Sequence, residues 1–78
     1  MPRYFYHLYN DEVARDQEGA ELPNDAAALQ RGAIEARNMA AESVRKGHLI
    51  LDHRIVVCAE HDRQVGVVHF RDVVAIQG

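Results

Sequence analysis

One long amphipathic helix, with both of its ends marked in the sequence, constrains this 78-residue chain more than any other feature. Asn24 or Asp25 is expected to cap its start, and Gly47 provides a left-handed stop. At 100° per residue, one side is apolar and mostly alanine: Ala26, Leu29, Ala33, Ala36, Ala40 and Val44. The opposite side is polar and is expected in water: Arg31, Glu35, Asn38, Glu42 and Arg45. Because small side chains allow close approach, the stripe is predicted to lie flat on a sheet, and Gly32 beside it is expected to make close backbone contact.

The segments before the helix predict a first pair of strands. Residues 3–9 alternate and are rich in aromatic side chains, which is typical of a strand. The two faces of this strand are Tyr4, Tyr6 and Leu8, and Phe5, His7 and Tyr9. Asn10 and Asp11 supply turn chemistry, and residues 12–16 are predicted to return as a short edge strand centred on Val13. Residues 18–23 are predicted to be a connection without regular structure.

A second hairpin is predicted after the helix, with strands at residues 54–59 and 64–70 and a turn at residues 60–63. Both faces of this hairpin are apolar, and a single helix can cover only one of them. The face left over is expected to contain Val56 and Cys58 together with Val68 and Phe70. Either the C-terminal segment 72–76, a second copy of the chain or an unrelated partner must cover it. The sequence therefore predicts one α+β domain over residues 1–78, with a ββαββ order and one long helix packed on an antiparallel sheet.

Size and composition exclude several classes of protein. A chain of 78 residues is near the size at which one core is only marginally sufficient, so that help from a partner subunit is expected. The single cysteine excludes an intramolecular disulfide. No apolar run approaches the length of a membrane span, and the N-terminus does not resemble a signal peptide, which predicts a cytoplasmic protein. The net charge is −3, and the 9 basic residues are scattered, which argues against binding to nucleic-acid backbone.

An acidic turn precedes the helix. It is predicted to be a structural turn and not a cation-binding loop, because its oxygen-bearing residues lack the spacing of a calcium-binding loop. The residues predicted to form this structural turn are Asp16, Glu18, Gly19, Glu21 and Pro23. Gly19 is expected to adopt a positive φ. The carboxylates of Asp16 and Glu18 are expected to accept backbone N–H groups or to pair with Arg54 or Arg71.

The five histidines do not form a metal-binding pattern, since none of them has the i, i+4 spacing of a helical zinc site. Those at positions 48, 53 and 61 are expected in solvated loops, whereas His7 and His69 fall within strands and are expected to hydrogen-bond a neighbour. Cys58, central in an apolar strand, is expected to behave as a small buried hydrophobe. No catalytic, cofactor-binding or metal-binding residue is predicted.

Four blocks of the sequence, taken together, support a family resemblance: Met1 to His7, Asp16 to Pro23, Arg54 to Val57, and Phe70 to Asp72. In these blocks the chain resembles a family of short bacterial proteins, domain of unknown function 6894, which is common in alphaproteobacteria. The chain differs at Tyr6, where the family usually has phenylalanine, and at residues 73 and 74, where alanine and a larger aliphatic residue are usual. The family resemblance implies no activity. The ββαββ order is also loosely similar to the small domain of HicB-type antitoxins, by analogy only.

These observations predict a non-catalytic interaction or regulatory module that buries its second sheet face, or an exposed strand edge, against a second copy or an unidentified protein partner. The residues predicted for this contact are Phe5, His7, Tyr9, Val56, Cys58, Val68 and Phe70. Nucleic-acid binding, directly or as an antitoxin-like protein, is the alternative, because the strand aromatics could stack on bases. A small-ligand or metal-dependent enzyme is a third hypothesis, for which the sequence lacks a nucleophile paired with a base.

Overall fold

A five-stranded antiparallel sheet with one long helix on one face forms the fold, in a computed structural model that describes residues 1–10, 13–48 and 51–74. The elements are β1 (Arg3–Tyr9), β2 (Val13–Ala14), β3 (Ala20–Glu21), α1 (Asp25–Arg45), β4 (Arg54–Ala59), a 3₁₀ turn (Glu60–Asp62), β5 (Gln64–His69) and α2 (Phe70–Val73). The strand order is β2-β1-β4-β5, and β3 also pairs with β1. The predicted α+β class is confirmed, whereas the sheet has five strands rather than the four of a ββαββ order.

Two short strands share the outer edge of β1. β2 pairs with the end of β1, where Leu8 lies opposite Ala14, and β3 pairs with its beginning, where Tyr4 lies opposite Ala20. The predicted return strand is therefore shorter than expected, and β3 was expected to be irregular connection. Asp11 and Glu12, in the predicted turn and strand start, lie outside the described residues.

The ends of α1 lie where the capping chemistry predicts them. Pro23, one of the predicted turn residues, directly precedes Asn24, whose Oδ1 accepts the backbone N–H of Ala27 at 2.8 Å. The helix ends at Arg45, and Gly47 has a φ of +99°. These local signals therefore fixed both ends of the helix before any tertiary contact is considered.

The buried side of α1 is rotated from the predicted alanine stripe by about 60° at 100° per residue. The residues buried on the sheet are Ala28, Gly32, Ala36 and Ala40. Ala36 and Ala40 were predicted correctly, whereas Ala26 is exposed and Val44 is 56% exposed. Gly32 explains the rotation, because a Cβ on it would lie only 3.1 Å from a Val68 methyl and 3.2 Å from a Val57 methyl. The predicted close contact at Gly32 is thus present, and it sets the line along which the helix meets the sheet.

β4 and β5 form the predicted hairpin. Its turn contains two successive residues with positive φ, His61 at +63° and Asp62 at +58°. Two such residues match the right-handed twist of a hairpin, and His and Asp tolerate this conformation better than most side chains. The pairing of Val57 with Gly66 and of Cys58 with Gln64 leaves Val65 as the extra residue of a β-bulge.

The described part of the C-terminal segment lies on the helix side of the sheet. α2 packs against α1, and Arg37 Nε donates to the Val73 carbonyl at 3.1 Å. Val73 and Val74 pack against the core, so that residues 72–74 do not cover the second sheet face as one alternative required. Residues 75–78, at the end of the chain, and residues 49 and 50, between α1 and β4, lie outside the described residues.

Candidate interaction surface

The sheet has a second face that points away from α1, which we call the open face. On β1, the hydroxyls of Tyr4 and Tyr6 donate to α1, to Asp25 Oδ1 and to the Ala28 carbonyl, each at 2.8 Å. Because side chains alternate along a strand, the residues between and beyond these tyrosines point the other way. The strand pairing extends the open face across β1, β4 and β5: Phe5, His7, Tyr9, Arg54, Val56, Cys58, Val67 and His69.

Five of the seven predicted interaction residues lie on the open face, and the predictions for Val68 and Phe70 were wrong. Val68 lies opposite Ile55, not beside Val56, and therefore points to the helix side, where its methyl approaches Gly32. Phe70 begins α2 rather than ending the strand, and it is only 2% exposed within the core. Directly opposite residues of an antiparallel pair share a face, and this register decides the side of Val68.

Part of the open face is covered by the chain itself. His7 is 4% exposed and Cys58 is 7% exposed, although no helix lies over them. The backbone N–H of Asp16 donates to His7 Nδ1 at 3.0 Å, and the Phe5 ring stacks parallel to the imidazole with 6.4 Å between centroids. The segment before β3 and the β4–β5 turn meet beside these residues and flank a cleft of about 300 Å³. The hydrogen bond predicted for His7 is confirmed, and it occupies the nitrogen that a base would use.

Asp16 organises the acidic turn through its carboxylate. Oδ2 accepts the backbone N–H of Tyr6 at 3.2 Å, while Oδ1 accepts those of Glu18 and Gly19, both at 3.1 Å. Partial burial alone would raise the pKa of Asp16, but the three N–H donors and nearby His7 outweigh it, so that the pKa is lowered. Gly19 has the predicted positive φ, +72°. Asp16 thus closes the gap that β2 and β3 leave along the edge of β1.

Arg3 binds the rest of the acidic turn, and within the described residues neither Arg54 nor Arg71 makes the ion pair that was one of the predicted alternatives for Asp16 and Glu18. Arg3 donates to the Glu18 backbone carbonyl at 2.6 Å and pairs with the Glu21 carboxylate at 3.3 Å. Arg71 instead pairs with Asp52. The acidic turn is therefore built from backbone donors and one arginine of β1, as a structural element.

The other part of the open face is exposed and mostly apolar. Val67 is 38% exposed, and Val13, next to Tyr9 on the neighbouring short strand, is 53% exposed. Val56 is partly buried between the strands, and the Arg54 guanidinium lies over the Tyr9 ring at 5.0 Å from its centroid. This region, from β2 across to β5, is the apolar surface that nothing in the described chain covers.

Sequence reasoning missed one polar network at the start of α1. The Asp25 carboxylate accepts two hydrogen bonds from Arg63, both at 3.1 Å, as well as the hydroxyl of buried Tyr4. The hydrogen bonds from Arg63 and Tyr4 lower the pKa of Asp25. The bond that Tyr4 donates to Asp25 also raises the pKa of Tyr4. The sequence pattern made Asp25 a candidate only for the cap of α1. Its partners are 21 and 38 residues away in sequence, which no local signal could identify.

The cysteine and histidine side chains of the described residues lie in different surroundings. Burial raises the pKa of the Cys58 thiol, which opposes formation of a nucleophilic thiolate. Within residues 1–10, 13–48 and 51–74, no group of three or more His, Cys, Asp or Glu residues is placed to hold a metal ion. His48, His61 and His69 are exposed, and the edge of His53 packs against Phe70. A larger cleft of about 390 Å³ lies between α1 and β1, and its charged lining residues are Arg15, Asp16, Arg31 and Glu35.

Comparisons with known proteins place the chain by family only. The sequence profile of a family described as a domain of unknown function (DUF6894) matches residues 3–71, which confirms the predicted resemblance. No match was found among curated proteins or among solved structures. None of the helices in the described residues is both long and apolar enough to span a membrane.

Proposed function

Since this chain belongs to the DUF6894 family, which has no assigned activity, its function must be argued from its own surface, and we propose a non-catalytic interaction module. In this proposal the protein acts through protein contact, by burying the open face, or an exposed strand edge, against a second copy of itself or against a different protein. The single observation that supports it is the apolar area on the open face that remains exposed around Val67, Val56 and Val13.

The physical argument is the free energy of burying that area. Removing apolar surface from water contributes about 25 cal/mol per Å². A contiguous apolar surface on a small protein is more often a contact site than an incidental feature. The chain is also short, so that a contact on this face adds apolar burial that one copy lacks. Because the chain itself covers His7 and Cys58, the proposed contact lies on the part of the open face nearer β2 and β5.

The aromatic residues of the open face favour a protein over a nucleic acid. His7 is buried and stacked on Phe5, and Arg54 lies over the ring of Tyr9. These contacts reduce the ring surface on which bases could stack. Nucleic-acid binding, directly or in an antitoxin-like role, stays the alternative proposal. A salt-dependent gel shift with RNA or DNA tests it.

The test of the proposed function is the molecular mass in solution of paired charge variants, measured by light scattering from micromolar to millimolar concentration. We expect a wild-type dimer at micromolar concentration. Val13→Glu should weaken a contact made through the open face at least tenfold, because it places a charge in the exposed apolar area. Ile34→Glu, on the 50% exposed outer side of α1, is the matched control and should have no effect. Phe70 is unsuitable for this test, since its burial means that a charge there would unfold the protein.

The outcomes separate the two kinds of partner. Equal masses for wild type and Val13→Glu, both monomeric at millimolar concentration, would remove the homodimer and leave a different protein as the occupant of the open face. Equal dimeric masses would place the self-contact outside the open face, at a strand edge. Equal weakening by Val13→Glu and Ile34→Glu would contradict the assignment of the contact to the open face. Circular dichroism of each variant establishes that it is folded.

A further inference from the structure

We infer that two copies of the chain pair through the outer edge of β5, in antiparallel orientation, so that their sheets join into one. This inference rests on the proposed function, because it assigns the self-contact of the interaction module to a strand edge. The open faces of both copies then lie side by side on one surface, available to a further partner.

The two edges of the sheet are treated differently by the chain. The outer edge of β1 is paired by β2 and β3, and the Asp16 carboxylate accepts the Tyr6 N–H in the gap between them. β5 is the last strand at the opposite edge, and nothing in the described part of the chain pairs with its outer side. Its sequence, Gln64–His69, contains no proline and no lysine, residues that commonly block strand edges.

The direction of the backbone groups along β5 follows from one hydrogen bond. The Phe70 N–H donates to the His53 carbonyl at 3.0 Å, so that residues 53 and 70 are a hydrogen-bonded pair. Hydrogen-bonded and non-hydrogen-bonded pairs alternate in an antiparallel ladder. Val68 therefore bonds inward to β4, whereas the N–H and C=O groups of Val67 and His69 point outward.

The outward groups of the two copies match each other. The bulge at Val65 ends the regular edge, which leaves Val67 and His69 as the outward residues of the regular segment. Two copies related by a twofold axis at Val68 place Val67 of each copy opposite His69 of the other. Each such pair exchanges two hydrogen bonds, so that four form in total. A register with Val67 opposite Val67 would give only two within this segment.

The part of α1 above Gly66 is apolar, and Arg37, farther along the same side of the helix, donates to the Val73 carbonyl at 3.1 Å. At 100° per residue, Ala26 and Ala33 share the side of α1 that carries Leu29, and a Leu29 methyl lies 2.8 Å from where a Cβ on Gly66 would be. A twofold axis brings each residue of the edge close to its own counterpart, so that charged side chains there would repel. By contrast, the β1 side has several charges: Arg3, Arg15, Asp16, Glu21, Arg31 and Glu35. Around Gly66, the β5 edge is thus the side of the sheet where fewer charged side chains of two copies would face each other.

The first experiment removes one outward N–H. Val67→Pro deletes that donor without touching the inward bonds to β4, and proline is tolerated on edge strands. Val67→Thr is the matched control, because it retains the donor and the β-branched shape. We expect a dimer for wild type and Val67→Thr, and at least tenfold weaker dimerisation for Val67→Pro. Val13→Glu should leave this dimer intact, since β2 is separated from β5 by β1 and β4, roughly 14 Å away.

Each other result overturns the inference in a distinguishable way. A monomeric wild type at millimolar concentration overturns it and leaves the open face for a different protein. A dimer that survives Val67→Pro but is lost in Val13→Glu overturns it too, while retaining the self-contact through the open face.

The second experiment does not depend on the folding of the proline variant. In a Cys58→Ala background, Val67→Cys and His69→Cys proteins are mixed under mild oxidation. Hydrogen-bonded partners have Cα atoms about 5.5 Å apart, which a disulfide can bridge. The two Val67 α-carbons are offset by two residues and lie more than about 7 Å apart. We expect the mixed disulfide to form at least tenfold faster than either homodisulfide, and equal rates would contradict the pairing.

Discussion

Replacement of Gly19 by alanine tests whether the turn before β3 requires glycine for its conformation, for its lack of a side chain, or for both. Gly19 has a φ of +72°, and a Cβ on it would lie 2.8 Å from the Tyr4 carbonyl oxygen. Gly47 offers the matched control: its φ is +99°, and a Cβ on it would meet no atom within 4 Å. The pair of variants therefore separates backbone strain from steric overlap.

The magnitudes follow from these two surroundings. A non-glycine residue in the left-handed region costs about 1–2 kcal/mol, and alanine recovers about 0.4–1 kcal/mol of this through the unfolded chain. Gly47→Ala should therefore destabilise by about 1 kcal/mol. At Gly19 the overlap adds about 1–3 kcal/mol, because the Tyr4 carbonyl lies on β1 between β3 and β4 and cannot move away. Gly19→Ala should destabilise by about 2–4 kcal/mol, and Gly19→Val by more, since β-branched residues resist positive φ.

Urea denaturation followed by circular dichroism measures both variants. In urea, the free energy of unfolding of a small domain falls by about 1 kcal/mol per M. A loss of about 2 kcal/mol therefore lowers the urea concentration at the midpoint of unfolding by about 2 M. Equal losses for Gly19→Ala and Gly47→Ala, within about 0.5 kcal/mol, would show that the approach of Tyr4 imposes no constraint. A loss at Gly19 below about 1 kcal/mol would refute the strain argument as well.

Two further predictions concern α1 and the acidic turn. Ala36→Leu should lower the free energy of unfolding by about 1–3 kcal/mol, because Ala36 is buried and a larger side chain would overpack the core. Ala26→Leu should change it by less than about 0.5 kcal/mol, because Ala26 is exposed. Equal effects of the two variants in urea melts would show the observed helix rotation to be wrong. Because the pKa of Asp16 is lowered on folding, its stabilisation is present above about pH 4 and is lost as the pH falls through the folded value. Asp16→Asn should therefore lower the free energy of unfolding by about 1–3 kcal/mol at pH 7 and make it depend less on pH below about pH 4. Urea melts at several pH values measure this, and the same pH dependence below about pH 4 in wild type and variant would contradict it.

The sequence by itself determined the features that depend on neighbouring residues. The cap at Asn24 and the left-handed stop at Gly47 fixed α1, and alternation with aromatic and β-branched residues located β1, β4 and β5. The positive φ of Gly19 and the backbone bonds to Asp16 were predicted from turn chemistry. These features are set by contacts within a few residues, where steric and hydrogen-bonding rules act directly.

Tertiary structure alone decided how these elements face one another. The alanine stripe predicted a helix phase, but the close contact of Gly32 with Val57 and Val68 rotated α1 and left part of the stripe over the β5 edge. Strand register placed Val68 on the helix side, and packing drew Phe70 into the core. The physical reason is that these choices minimise voids and unpaired polar groups between segments distant in sequence, and a local pattern contains no information about which distant surface it will meet.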